Sequence, residues 1–139
     1  MPVNYVAIVV AAAANFIIGF LAHGPVAGKL WMKLANITPT GNEKLSQMVP
    51  QMVKNFIANL VFANVLAYVY LYASTSPQMG GSGAWNGIIV AFWVWLGFVV
   101  TTTSIDVIWM GKSWKLWLYE CVASLVSIAA MGAIIAAWM

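Results

Sequence analysis

The chain has 139 residues, of which 63% are hydrophobic and 6% are charged, and its mean hydropathy is +0.90. A soluble domain carries roughly a quarter charged residues, so this composition excludes a soluble fold and predicts a protein of the lipid bilayer. The net charge of +3 comes from lysines that are spread along the chain. Because they are not clustered with exposed aromatic residues, nucleic acid is not a predicted partner.

Four apolar stretches are long enough to cross a bilayer as helices, since about 20 residues span its hydrocarbon core. They cover residues 4–24, 49–73, 84–108 and 115–139. Pro25 follows the first stretch and breaks or kinks the helix, because its ring clashes with the preceding turn. Residues 26–36 then predict a short amphipathic segment at the membrane interface. The predicted fold class is all-α: a single transmembrane domain built as an integral membrane four-helix bundle.

The lysines predict the orientation of this bundle. They lie in or next to the first and third connections, and they are Lys29, Lys33, Lys44, Lys54, Lys112 and Lys115. Loops on the cytoplasmic side are enriched in lysine. Both connections are therefore predicted to face the cytoplasm, and both termini to lie on the non-cytoplasmic side of the cell (inner) membrane. The uneven distribution also argues against a protein that inserts in both orientations.

Small and polar residues within the spans predict where the helices pack against one another. In the first span they recur every four residues and include Asn15 near mid-depth. Its amide should face another helix, because an unpaired amide in lipid costs free energy. The predicted packing seam consists of Asn15, Gly19, Asn55, Asn59, Gly97, Thr101, Ser104 and Ser124.

Each span also carries one titratable group near the predicted cytoplasmic side, and these groups are His23, Lys54, Asp106 and Glu120. One interpretation is a polar pocket for a small solute or a proton, with Asp106 and Glu120 as its acidic members. The other is that Lys54 pairs with a carboxylate while the remaining groups reach the lipid headgroups. The position of this layer at the membrane edge favours the second interpretation. It also favours His23 as an interfacial anchor over His23 as a ligand or a proton relay.

The chain offers few groups for catalysis. One histidine, one cysteine and three acids form no pair at metal-binding spacing, so neither a metal site nor a cofactor is predicted. No serine nucleophile has a histidine base near it in the sequence, and no glycine-rich loop follows a strand to bind phosphate. The chain is therefore not predicted to be an enzyme.

Two stretches resemble a known family: NYVAIVVAAAANFIIGFLAHGPVAGKLW at 4–31 and LGFVVTTTSIDVIWMGKSWKLWLYECVASLVSIAAMGAII at 96–135. They are similar to small bacterial and archaeal membrane proteins grouped as domain of unknown function 1761. The matching positions are Asn4, Gly19, Pro25, Gly28, Trp31, Asp106, Gly111 and Lys112. The chain departs from the family at Ala22 and His23, where Trp-Tyr is more frequent, and at Lys112, where arginine is common. The resemblance implies four membrane helices and no particular activity, and it makes Asn4 and Asp106 candidates for a shared role.

We expect, from these observations, a structural or interaction protein of the bilayer that forms a homo-oligomer or joins a membrane complex. The small and polar seams, the abundant aromatic residues and the missing catalytic groups favour this function. The alternative is a small transporter or channel whose polar layer lies near the cytoplasmic face.

Overall fold

The computed structural model describes residues 3–24, 27–38 and 45–139, and within these ranges it contains helices and no β-strand. The five helices are α1 (Tyr5–His23), α2 (Gly28–Ala35), α3 (Leu45–Ser74), α4 (Ala84–Met110) and α5 (Trp114–Ala137). A short 3-10 turn, Pro77–Met79, connects α3 to α4.

Four of these helices, α1, α3, α4 and α5, are long and apolar enough to cross a membrane. The predicted fold class is thereby confirmed, whereas the orientation of the termini stays a prediction. Pro25, Val26, Glu43 and Lys44 lie outside the described residues. They include the predicted helix break, the start of the predicted interfacial segment and one lysine used for the orientation.

Local sequence signals explain where two of the spans begin. Asn4 caps α1, because its Oδ1 accepts hydrogen bonds from the backbone N–H groups of Val6 and Ala7 at 3.0 and 3.3 Å. Its Nδ2 donates to the carbonyl oxygen of Trp138 at 3.1 Å, which ties the start of α1 to the end of α5. Ser113 caps α5 in the same way. We call the end of the bundle that holds Asn4 and Trp138 the terminal end, and the opposite end the α2 end.

Small residues set the packing of the bundle. Helix α5 packs against both α1 and α4, and α1 packs in turn against α3. Gly87 of α4 and Gly132 of α5 lie so close that a Cβ on either would overlap the backbone carbonyl of the other. Alanines on α1 and α3 allow a similar approach, and Leu66, Met131 and Ile135 are the largest fully buried side chains. Close backbone approach through small residues is the usual basis of helix association in lipid.

Helix α4 contains a π-helical segment, Trp95–Val100, and fewer of its residues are buried after this segment than before it. Before it, Gly87, Val90 and Ala91 are buried; after it, Val107 is the one buried residue of Thr101–Met110. Trp95 marks the transition, because its Nε1 donates to the Cys121 carbonyl oxygen at 2.9 Å. In the most apolar stretch of α4, 11% of the residues are buried, against 39% in α5. Towards the α2 end, the last part of α4 therefore diverges from α5 and keeps few contacts with it, such as the hydrogen bond from the Trp117 indole N–H to the Thr103 hydroxyl at 3.2 Å.

Candidate functional site

Polar side chains from three helices meet at the α2 end. His23 closes α1, and its Nε2 lies 2.9 Å from Oε2 and 3.0 Å from Oε1 of Glu120, near the start of α5. Trp31 of α2 donates its indole N–H to Oε1 of the same carboxyl group at 2.8 Å. We call these three residues the His–Glu–Trp cluster. It brings together groups that are 97 and 89 positions apart in the chain.

The geometry around His23 restricts where protons lie. Its Nδ1 is 2.8 Å from the carbonyl oxygen of Gly19, which can only accept, so this nitrogen carries a proton. Its Nε2 faces both carboxyl oxygens of Glu120. Either the ring is doubly protonated beside a carboxylate, or a neutral ring accepts a hydrogen bond from protonated Glu120. In both cases one proton lies between Nε2 and the carboxyl group, so the cluster can hold and exchange a proton without changing its heavy-atom contacts.

Neighbouring residues hold α2 against the bundle. Tyr119 donates its hydroxyl to the carbonyl oxygen of Ala22 at 2.5 Å, which fixes the end of α1. The rings of His23 and Trp31 meet edge to face, with centroids 4.9 Å apart. Gly28 is buried, and a Cβ there would lie 3.2 Å from the carbonyl oxygen of His23. A side chain at Gly28 would therefore force the carbonyl of His23 to shift by a few tenths of an ångström.

The predicted polar layer is divided in the structure. His23 and Glu120 are paired, with side chains 32% and 41% exposed. Asp106 instead pairs with Lys112, whose Nζ lies 3.2 Å from its Oδ2. Lys54 is exposed on α3, and within the described ranges it forms no ion pair with either carboxylate. The partner of Glu120 is a histidine on α1 rather than a lysine on α3.

Part of the predicted packing seam forms a hydrogen-bonded link across the middle of the bundle. Asn15 of α1 donates through Nδ2 to Oδ1 of Asn59 on α3 at 2.9 Å. The hydroxyl of Ser127 on α5 donates to Oδ1 of Asn15. Three helices are thus connected through one carboxamide. Ser124 serves elsewhere, since it accepts from the indole N–H of Trp95.

The seam residues of α4 behave differently. Thr101 donates its hydroxyl to the Gly97 carbonyl oxygen at 2.6 Å, and Ser104 donates to Thr101 at 2.6 Å. These hydroxyls are satisfied within their own helix. Gly97 and Thr101 are exposed, and no atom lies within 4 Å of a Cβ built on Gly97. The structure does not bring these residues to another described helix.

Two clefts flank the His–Glu–Trp cluster, and Trp31 borders both. The first cleft, of about 510 Å³, lies between α1, α2 and α3, and its polar lining includes Asn15, Gln51, Asn55 and Asn59. The second cleft, of about 400 Å³, lies between α2, α4 and α5, and its lining includes Asp106, Lys112, Trp117 and Glu120. Within the described ranges, no three His, Cys, Asp or Glu side chains are grouped as a metal site would need.

Sequence reasoning missed two contributors to this region. Trp31 reads as one of several interfacial tryptophans, and nothing local shows that its N–H reaches α5. Gln51 was not singled out, although it precedes Asn55 and Asn59 at the same four-residue spacing. A carboxamide every fourth residue places these side chains on one helix face, and that spacing is the signal that could have identified the first cleft.

Comparison with known proteins adds one finding. A family model with the description "Protein of unknown function (DUF1761)" matches residues 6–136, which confirms the resemblance predicted from the sequence. Neither the curated proteins nor the solved structures give a match. The family description contains no activity, so function has to be argued from the geometry of the chain.

Proposed function

We propose that this chain, which belongs to the family of proteins of unknown function (DUF1761), is a structural membrane protein whose copies associate in the bilayer. The observation that carries this proposal is the course of α4, which from Gly97 onwards presents small residues that no other described helix covers. We call Gly97, Thr101 and Ser104 the open face of α4. The proposal assigns no catalytic activity to the chain.

Packing inside the chain supports this function. Gly87 and Gly132 show that two of its helices associate through small residues that let their backbones touch. The open face of α4 has the same kind of composition, with Gly97 exposed and the space beside it empty. In lipid, helices gain little from burying apolar side chains and associate instead where small residues permit close packing. The open face therefore suits a helix partner better than it suits lipid chains.

A second copy of this chain is the partner that we favour. The open face carries no formal charge, so two identical faces meet without like-charge repulsion. A symmetric dimer places the same patch of each subunit against itself, and a stripe of small residues is complementary to its own copy. The neighbouring Phe98, 70% exposed, extends the contact at one side of the stripe.

The test is the association of purified protein in liposomes, measured by energy transfer between labelled copies as lipid is added. Gly97→Leu should lower the dimer fraction at least tenfold, because the added side chain separates the two helices. Val61→Leu is the control, since Val61 is 61% exposed and lies on α3 rather than on α4. Wild-type protein that stays monomeric at every dilution, and is not crosslinked to a copy or neighbour in membranes, would contradict the proposal.

The His–Glu–Trp cluster favours a second candidate function, the transport of a small solute or a proton. The cluster lies between two clefts, and paired ionisable groups beside a cavity of a membrane protein often belong to a proton or substrate pathway. Glu120→Gln and Asp106→Asn should each abolish flux into liposomes loaded with a pH-sensitive dye. If both variants keep wild-type flux, these residues have no part in transport.

We propose the orientation predicted from the lysines, with both termini on the non-cytoplasmic side of the inner membrane. Lys29 and Lys33 on α2 lie at the same end of the bundle as Lys112, since Ala35 of α2 and Lys112 border one cleft. In intact cells, an impermeant thiol reagent should label Val3→Cys but not Lys33→Cys. The reverse pattern would overturn this orientation.

A further inference from the structure

The first cleft contains a row of carboxamides that the proposed association through α4 does not use. Gln51, Asn55 and Asn59 follow one another at four-residue spacing on α3, and all three line this cleft. Asn59 accepts from Asn15, whereas among the residues the structure describes no hydrogen bond joins the side chain of Gln51 or Asn55 to another residue. An amide that faces hydrocarbon without a partner is costly. Gln51 and Asn55 are exposed at the cleft, so their amides are available to a polar group that enters it.

The remaining lining limits what that polar group can be. Phe16, Phe20, Met48 and Met52 form an apolar wall opposite and beside the amides. Methionine and aromatic side chains adapt readily to apolar chains. Within the described ranges, no carboxylate and no lysine borders the cleft, and both ring nitrogens of His23 are already occupied. A charged head group would find no counter-ion here, which makes its desolvation unfavourable.

We propose that the first cleft is a binding site for an uncharged amphiphile, a molecule with a hydroxyl- or carbonyl-bearing head and an apolar chain. The carboxamides of Gln51 and Asn55 hydrogen-bond the head, and the chain lies along Phe16, Phe20 and Met52. A volume of about 510 Å³ is that of a small-molecule site, and a few polar groups in a mostly apolar lining are typical of such sites. This site lies between α1, α2 and α3, so it is separate from the open face of α4.

A probe series tests the site on the wild-type protein. Three photoreactive probes share one diazirine-bearing chain: a monoacylglycerol, the bare alkane and the fatty acid at a pH where it is ionised. The monoacylglycerol should crosslink to the α1 and α3 residues of the cleft, mapped by mass spectrometry, at least tenfold more than either other probe. Equal labelling by the alkane, equal labelling by the ionised acid, or labelling elsewhere on the chain would overturn the proposal.

A pair of variants tests the role of the amides. Asn55→Leu replaces a carboxamide by an apolar group of similar shape and should reduce monoacylglycerol labelling at least tenfold. Asn64→Leu is the matched control, because nine residues of α-helix place Asn64 on the opposite side of α3 from Asn55, and it should label as wild type does. Undiminished labelling of Asn55→Leu would overturn the proposal. If that variant does not fold, as judged by gel filtration, the wild-type probe series decides.

Solvent extraction distinguishes the two possible sources of the amphiphile, the bilayer and the aqueous solution. Organic solvent applied to protein purified from membranes releases a neutral lipid if the bilayer supplies the ligand. Protein that releases none, and then binds added monoacylglycerol, takes a dissolved amphiphile. Protein that neither releases nor binds one lacks the site, whatever its state of association.

Discussion

Helix α4 carries two glycines ten positions apart, of which one is tightly packed against another helix and the other is not. Gly87 lies against Gly132 without space for a Cβ, whereas no atom lies within 4 Å of a Cβ on Gly97. The π-helical segment begins between them, and such a segment rotates the faces that follow relative to those before it. The comparison shows that residue type does not determine whether a small residue packs. The partner available to that face of the helix determines it.

The largest loss of stability should come from adding a side chain at the tightly packed Gly87. Gly87→Ala inserts a methyl group where the Gly132 carbonyl lies, so the helices must separate, at a cost of about 3 kcal/mol. The free energy of unfolding is measured by titrating mixed micelles with dodecyl sulfate and following helicity. A loss below about 1 kcal/mol would show that this end is not tightly packed.

A smaller loss is expected at the link in mid-bundle. Asn15→Leu removes the hydrogen bonds that connect α1 to Asn59 and Ser127, and such bonds contribute about 1 kcal/mol in membrane proteins. Ile17→Leu is the control, because Ile17 is 55% exposed on the same helix. The same unfolding titration applies, and equal stability of the two variants would contradict the role given to Asn15.

At the α2 end, replacing Glu120 should change the hydrogen exchange of α2 alone. Glu120→Leu removes both the acceptor of the Trp31 indole N–H and the partner of His23, and the His23 and Glu120 side chains are partly exposed, so solvent screens the loss. Hydrogen exchange of the α2 amides should accelerate about fivefold, equivalent to about 1 kcal/mol, while the middle of α5 stays unchanged. Asp106→Asn, which breaks the exposed pair with Lys112, should leave α2 exchange unchanged. Equal acceleration in both variants would show that Glu120 does not hold α2.

The smallest change in stability should follow substitution of Gly97, which is exposed where Gly87 is packed. Gly97→Ala meets no atom, so the stability of the dilute, unassociated protein should change by less than about 0.5 kcal/mol. If instead it loses as much as Gly87→Ala does, the two parts of α4 are packed alike and the comparison fails.

The four helices could be predicted because length and hydropathy alone identify a membrane span, and the family because its two end segments are specific. The limits of the spans also predict that His23 and Glu120 lie near the same end of the bundle, and the structure pairs them. Sequence position does not reveal which helix a side chain faces, so the separate pairings of Asp106 and Glu120 could not be foreseen. The π-helical segment of α4 contains Gly97, but a single glycine in an apolar span does not by itself predict such a segment.

The contact between Trp31 and Glu120 has a consequence for biogenesis. The two residues are 89 positions apart, so about 5–20 s pass between their emergence from the ribosome at usual rates of synthesis. During that interval the Trp31 N–H lacks the Glu120 carboxylate that accepts from it in the folded protein. This contact of α2 with the bundle can therefore form only after the start of the final span has been synthesised.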